Sequence, residues 1–316
     1  MSNILLLFKF RPEHIEQIRE AAPDYTITSS SADKLDAEQL RSAEIVCGWH
    51  PSLSQVIEDG SKLKWVQTSS AGIDRLPLDE LEKQGVFVTS ASGIHPISMA
   101  ETFFAMLLAF SRNLHHAIRH QAKREWSPSQ QYEQLAGKTI GIIGVGTIGT
   151  EMARLAQAFG MHVLGVRRSG APVTVVDEMM SMDGLDEVLS RSDVIVNVLP
   201  YTDATHYLFG AERFKLMKPN ALFFNFGRGP SVDTDALVTA LQDGTIAGAG
   251  LDVFETEPLA SDHPLWEMDN VIITPHIGGW TDQYKQKMLD IFLPNLRAFV
   301  ANGQPTVNLV DYKVSY

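Results

Sequence analysis

At 316 residues the chain exceeds one typical domain and suits two, and its 44% apolar and 20% charged residues fit a globular protein able to bury a sizeable core. Acidic residues outnumber basic ones by 38 to 26, and the formal charge of −12 repels phosphate backbones, which argues against nucleic acid as a partner. The single cysteine, Cys47, excludes an internal disulfide and suits a reducing compartment; behind the apolar pair Ile45-Val46 it reads as packing rather than as a nucleophile.

In chain order, residues 4–8 form the first apolar run. No basic residue precedes it, Lys9 closes it, and it is too short for a signal peptide or membrane helix. A buried strand is expected, in a cytoplasmic protein with no membrane contact. Residues 44–48, 63–68 and 86–89 repeat the pattern between amphipathic or polar stretches. That βαβα rhythm predicts an α/β architecture, a parallel sheet with helices on its faces. A long helical stretch follows from Ile97 to about Arg124, with Pro96 near its start and Trp126-Ser-Pro128 breaking it. Its middle, Phe103-Phe-Ala-Met-Leu-Leu108, is apolar nearly all round, so burial between two masses is expected. A second series begins at 139–143 and continues through 161–166, 194–199, 221–224, 246–251 and 271–274. Two doubly wound parallel sheets are therefore predicted. A final helix runs from about Thr281 to Asn302 before a short tail, and no repeat, low-complexity tract or charge block interrupts the series.

Gly144-Val-Gly146-Thr147-Ile148-Gly149 follows the strand at 139–143 and opens a helix expected over 150–159. A glycine pattern alone is weak; in this strand–turn–helix setting it predicts a dinucleotide site. Gly144 permits the tight turn, Gly146 lets the backbone approach a pyrophosphate, and Gly149 lets helix and strand pack closely. The helix N-terminus adds unpaired N–H groups and partial positive charge. The next strand runs into Arg167-Arg168-Ser169, where an NAD site places a carboxylate for the ribose 2′-hydroxyl. Two guanidinium groups and a hydroxyl suit a 2′-phosphate dianion instead. NADP (as NADPH) is the expected cofactor, with NAD possible.

Three later segments each follow a predicted strand: Asn225-Phe-Gly-Arg228-Gly229, Leu251-Asp252-Val-Phe-Glu255-Thr-Glu257-Pro258 and Thr274-Pro-His276-Ile-Gly-Gly279. All fall at the sheet edge where ligands bind. Together with the glycine loop they resemble the D-isomer-specific 2-hydroxyacid dehydrogenase family, over essentially the whole chain, and in particular its NADPH-dependent 2-ketoacid and glyoxylate/hydroxypyruvate reductases. The resemblance implies a substrate domain, residues 1–98 plus 283–316, split around an inserted Rossmann-like dinucleotide domain, residues 99–282. It also implies a homodimer, with the helix at 103–108 as the candidate interface, although burial within one chain explains that helix almost as well. The implied reaction is hydride transfer from NADPH to a small 2-keto acid, giving the D-2-hydroxy acid.

In that scheme Arg228 matches the guanidinium that grips the carboxylate and keto oxygen, and His276 the general acid. Glu257, rather than nearby Glu255, matches the carboxylate that orients the imidazole and favours its charged form. Asp252 matches a partner of the nicotinamide carboxamide, and Pro200 and Thr205 join the cofactor contacts. Ser69-Ser-Ala71-Gly72-Ile-Asp74 resembles the loop whose backbone N–H groups hold the substrate carboxylate, through Ala71 and Gly72.

Ser92-Gly-Ile-His95-Pro96 departs from the family's Asn-containing segment, so His95 reads as a structural or gate residue, and His115-His116 as packing or surface groups. No metal-ligand spacing is present. Trp49-His50 and Trp280 are candidates for the pocket wall, where an arginine suited to a phosphorylated substrate is missing. A small unphosphorylated acid is expected: glyoxylate, hydroxypyruvate, pyruvate or a modestly larger homologue. The alternatives are an NAD-using phosphoglycerate dehydrogenase-type enzyme, and a corepressor-like protein that senses dinucleotide. The complete Arg228, Glu257 and His276 set argues against a purely binding role.

Overall fold

Short aliphatic runs bounded by turn formers pair side by side as parallel strands, and they do so in two separate units of the computed structural model. It describes residues 2–30, 35, 37–57, 61–73, 76–128 and 132–312. The first unit comprises Met1–Ile94 and Thr281–Tyr316, the second His95–Trp280.

The first unit carries β1 (Asn3–Leu6), α1 (Pro12–Ala21), β2 (Thr26–Ser29), α2 (Ala37–Ser42), β3 (Ile45–Cys47), α3 (Ser54–Ile57), β4 (Trp65–Gln67), α4 (Leu78–Lys83) and β5 (Phe87–Thr89). Its strands run parallel in the order β2-β1-β3-β4-β5. Strand alternation divides the aliphatic residues between two cores. Ile4, Leu6, Ile45, Cys47 and Trp65 face one core, whereas Leu5, Val46, Val66 and Val88 face the other. Cys47 is fully buried and burial pushes its thiol pKa up, so packing is its role here.

The second unit contains α5 (Pro96–Ser111), α6 (Leu114–Lys123), β6 (Thr139–Ile143), α7 (Thr147–Ala158), β7 (His162–Val166), β8 (Glu178–Met180), α8 (Leu185–Arg191), β9 (Val194–Asn197), α9 (Ala211–Leu216), β10 (Leu222–Asn225), α10 (Thr234–Gln242), β11 (Gly248–Leu251) and β12 (Val271–Ile273). These strands are also all parallel, ordered β12-β11-β10-β9-β6-β7-β8. The chain then returns to the first unit as α11 (Tyr284–Asn302), whose Phe292 stacks on Trp65 at 5.2 Å. Among the described residues no helix is long and apolar enough to cross a membrane.

Several expectations from the sequence change. The helical stretch from Ile97 to Arg124 is two helices, because Asn113 adopts a left-handed φ of 52° that breaks the ladder, a conformation Asn tolerates better than most residues. α5 is not apolar all round in its surroundings: Phe103, Phe104, Met106 and Leu107 are buried, while Ile97, Glu101 and Ala105 are exposed. Within the second unit those buried side chains pack in the chain's own core, alongside Ile140, Val163 and Phe224. The helix expected over 150–159 begins earlier, at Thr147, inside the glycine motif. β2 and β8, the outermost strands on one side of each sheet, carried no apolar signal because their side chains are only partly covered or exposed.

Phe103 fixes α5 to the second sheet, its ring edge-on to Phe224 at 5.0 Å and to Phe104 at 4.9 Å. Phe103→Ala should lower stability by about 3–5 kcal/mol through lost burial and the cavity left behind. Denaturant titration measures this, and a loss under about 1 kcal/mol would remove the ring from the core's main contacts.

Candidate active site

The strand order of the second sheet reverses between β6 and β9, the position where doubly wound sheets take ligands. The glycine turn lies directly after β6. Gly144 has φ +105°, and a Cβ there would meet the Val198 carbonyl carbon at 2.9 Å, so no other residue fits the approach to the chain leaving β9. A Cβ on Gly149 would meet the Gly144 carbonyl oxygen at 2.9 Å and Ile142 at 3.1 Å, which is the close helix–strand packing that the motif predicts. At Gly146 a Cβ would meet nothing within 4 Å. Gly146 also caps α7, whose first turn holds Thr147 and Ile148. An open approach to a helix N-terminus fits the pyrophosphate of a dinucleotide.

Arg167 follows β7 directly and its N–H donates to Met180 of β8. Gly170 N–H returns to the Arg167 carbonyl, and the Ser169 hydroxyl oxygen accepts from Ala171 N–H, so the pair Arg167-Arg168 leads into a tight turn. Arg167 is half-buried, and Arg168 and Ser169 are exposed. After β9, Pro200 is exposed and Thr205 is buried. The Thr205 hydroxyl lies 3.0 Å from the Pro200 carbonyl and accepts from Thr202 N–H at 2.8 Å, so it closes that loop on itself.

Arg228 stands three residues beyond β10. Along this strand Phe224 and Phe226 turn toward α5, which leaves Asn225 on the opposite side. There the Asn225 side chain accepts from Asn197 at 3.0 Å and from Gly227 N–H at 3.2 Å, and donates to the Arg228 carbonyl at 3.2 Å. The Ser231 hydroxyl donates to the same carbonyl at 2.6 Å and accepts from Asn197 at 2.7 Å. The guanidinium is half-buried, with one donor on the Gly227 carbonyl at 3.0 Å. Gly229 abuts the next loop so closely that a Cβ would fall 1.9 Å from the Phe254 carbonyl carbon.

His276 stands three residues beyond β12 with a left-handed φ of 55°. Its Nδ1 lies 2.8 Å from Glu257 Oε2, and the other carboxylate oxygen accepts from Phe254 N–H at 3.1 Å. Asp252, 2% exposed, holds this loop. Its Oδ1 accepts from the Thr274 hydroxyl at 2.6 Å, Ile277 N–H at 2.9 Å and Gly278 N–H at 3.1 Å, and its Oδ2 from Gly278 N–H at 3.0 Å. Among the described residues of the second unit, sheet-edge loops thus carry the glycine turn, the arginine pair, Arg228, Asp252, Glu257 and His276.

Ala71 and Gly72 belong to the first unit. Their loop is tied by the Ser70 hydroxyl to the Gly72 carbonyl at 2.6 Å, by Ala91 N–H to the Ser70 carbonyl at 3.0 Å, and by the Tyr284 hydroxyl to the Ser69 carbonyl. Asp74 lies outside the described residues. Trp49 is half-buried against the first unit's core, and Trp280 is 74% exposed.

Residues 104–278 match the family model described as D-isomer specific 2-hydroxyacid dehydrogenase, NAD binding domain. The chain belongs to the D-isomer-specific 2-hydroxyacid dehydrogenase family. It is an NAD(P)-dependent oxidoreductase acting on a CH–OH group. The glyoxylate reductase of Thermococcus litoralis is 33% identical over 95% of this chain and 86% of that protein. A family protein of Aeromonas salmonicida subsp. salmonicida, 35% identical, superposes with a TM-score of 0.88 over 98% of this chain and 99% of its own. An NADPH-dependent glyoxylate/hydroxypyruvate reductase of Sinorhizobium meliloti, solved with citrate, is 27% identical, with a TM-score of 0.83 over 99% and 98% of the two chains.

In this dehydrogenase the two glutamates of the third segment separate cleanly. Glu255 takes the Tyr207 hydroxyl at 2.6 Å and Thr234 N–H at 3.1 Å, away from the histidine pair. Burial works against its ionisation but is outweighed by hydrogen bonds from Thr234 and Tyr207, with the nearby His206 adding to them, so its carboxyl is held below the usual range. Sequence reasoning assigned no role to Asn197, Asn225 and Ser231, although a polar residue closing the apolar run Val194-Ile-Val was a usable signal. A depressed carboxylate stabilises the fold above its unfolded pKa, and that contribution is lost as pH falls through the folded value. The dehydrogenase should thus be more stable than its Glu255→Gln variant at neutral pH, with the gap closing below the ordinary value of 4.5. Thermal melts across pH test this; a gap that does not depend on pH would contradict it.

Proposed function

We propose that this dehydrogenase reduces a small, unphosphorylated 2-keto acid to the D-2-hydroxy acid with NADPH, using His276 as general acid. The observation that carries the reading is the 2.8 Å contact between His276 Nδ1 and Glu257 Oε2. An ionised carboxylate only accepts, so this contact keeps a hydrogen on Nδ1 and leaves Nε2 to deliver the reacting proton. Side-chain exposures of 47% for His276 and 24% for Glu257 suit a ring open to substrate on one edge and anchored on the other.

When bound, the dinucleotide supplies the hydride. The glycine turn and the α7 N-terminus would hold its pyrophosphate, and Arg167, Arg168 and Ser169 the 2′-phosphate. Pro200 and Thr205 would shape the wall beside it. Asp252 Oδ2 carries one donor where Oδ1 carries three, so it keeps acceptor capacity for the carboxamide. Arg228 would hold the substrate's carboxylate and keto oxygen together through its planar fork, which a lysine cannot reproduce. Ala71 and Gly72 remain the proposed backbone donors to a carboxylate, on the family resemblance. His276 Nε2 protonates the keto oxygen as the neighbouring carbon is reduced, and Glu257 holds the imidazole as its charge is discharged. Glyoxylate and hydroxypyruvate, named in the reductases reported above, are the first substrates to try.

Two measurements test the proposal. NADPH should give at least about tenfold higher kcat/KM than NADH, and removing both Arg167 and Arg168 should erase that ratio, on the scale of about 1.5–3 kcal/mol for a hydrogen bond to a charged group. Equal use of the two cofactors by the unaltered enzyme would overturn the cofactor assignment. Glu257→Gln keeps the shape but removes the charged acceptor that holds Nδ1, so kcat should fall about tenfold or more while NADPH affinity holds, on the scale of a hydrogen bond to a charged group. An unchanged kcat in that variant would remove Glu257 from the mechanism.

A further inference from the structure

The loop that carries His276 is gripped from a second side, by a helix that none of its motifs includes. Its N–H groups at Ile277 and Gly278 go to Asp252. Its carbonyls at Gly278 and Gly279 point instead to α5: the Ser98 hydroxyl lies 3.1 Å from the Gly279 oxygen, and the Thr102 hydroxyl 3.3 Å from the Gly278 oxygen. Ser98 and Thr102 are one helical turn apart, so they present their hydroxyls in register along one face. One turn further toward the N-terminus, the His95 ring covers Gly279, where a Cβ would come within 2.7 Å of the ring carbon Cδ2. Two successive N–H groups are thereby held by Asp252 and the two carbonyls that follow them by α5, all within three residues of His276.

We infer that Ser98 and Thr102 are positioning residues for His276. The inference rests on the reading of His276 as the proton donor. Each hydroxyl also lies near a carbonyl of α5 itself, Ser98 at 3.2 Å from that of His95 and Thr102 at 2.9 Å from that of Ser98. Its proton is shared, and the grip on the loop is correspondingly moderate. With both hydroxyls removed the loop keeps its Asp252 bonds but loses its brace from α5, and the imidazole spends less of its time in the reactive orientation. Turnover then falls while cofactor binding, built on other loops, does not.

The test uses the full chain carrying Ser98→Ala with Thr102→Val, assayed with NADPH and glyoxylate. The expected result is a kcat about three- to tenfold lower, the range given by one net hydrogen bond, with the NADPH dissociation constant within about twofold of the unaltered enzyme. Thr102→Ser, which keeps the hydroxyl, should hold most of the turnover that Thr102→Val loses. Melting temperature and NADPH fluorescence titration show that the variants are folded. An unchanged kcat in the double variant overturns the inference, as does a loss of NADPH affinity equal to the loss of kcat. His276→Ala separates the two levels. Retained turnover there overturns the reading of His276 together with the inference, whereas abolished turnover beside an unaffected double variant overturns the inference alone.

Discussion

Parallel pairing puts the C-terminal ends of all seven strands of the second sheet on one edge, and every candidate group of that unit follows from this constraint. Gly144 follows β6, Arg167 follows β7, Pro200 lies beyond β9, Arg228 beyond β10, Asp252 beyond β11 and His276 beyond β12. An antiparallel arrangement would send alternate loops to opposite edges and scatter the same residues. Parallel strands need helical crossovers on their faces, and these bury both sides of the sheet. The loops at the edge are then where polar side chains from several strands converge, whereas the sheet faces are committed to packing.

The last positions of β9 and β10 and the first position beyond β11 are polar, and their pairing shapes the edge. Asn197 stands opposite Asn225 in the β9–β10 register, and Asp252 comes one residue after Leu251, the partner of Asn225 on β11. All three are at least 98% buried. An unpaired buried polar group costs about 1–3 kcal/mol, more when charged. Each here is satisfied by a loop at the edge: Asn197 by Leu199 N–H and Ser231, Asn225 by Gly227 and the Arg228 carbonyl, Asp252 by Thr274, Ile277 and Gly278. Burial of these side chains is favourable only when the loops take this one path. That requirement links the stability of the sheet edge to the geometry of the site.

Much of this was legible in the sequence wherever one residue type answers one physical need. Gly144 and Gly149 stand where a Cβ would collide with backbone, and of the two glutamates it is Glu257 that lies 2.8 Å from His276. Central strands were found because both of their faces are covered. β2 and β8 were not, because their residues are only partly covered or exposed and read as loop. The break at Asn113 was invisible to hydrophobic periodicity, which continues across it through Leu114 and Ile118. Ser98 and Thr102 gave no signal at all. A hydroxyl on a helix face is unremarkable until tertiary structure brings the carbonyls of residues some 180 positions away to meet it.

His276 itself sits in conflict with its backbone, and the surrounding bonds account for why it is tolerated. A left-handed φ costs a non-glycine residue roughly 1–2 kcal/mol, and glycine would relax the turn but could carry no imidazole. The conformation brings His276 N–H to the Asp252 carbonyl at 2.9 Å and the Thr274 carbonyl at 3.0 Å, while the Asp252 carboxylate gathers the next two N–H groups. At roughly 0.5–1.5 kcal/mol net per hydrogen bond, more where the acceptor is charged, that set outweighs the strain. The same backbone turn that strains the residue is what lets one carboxylate collect the loop. Glu257 then has only to meet a ring whose main chain is already fixed. The imidazole is therefore oriented twice, by the peptide units on which it stands and by the carboxylate at its Nδ1.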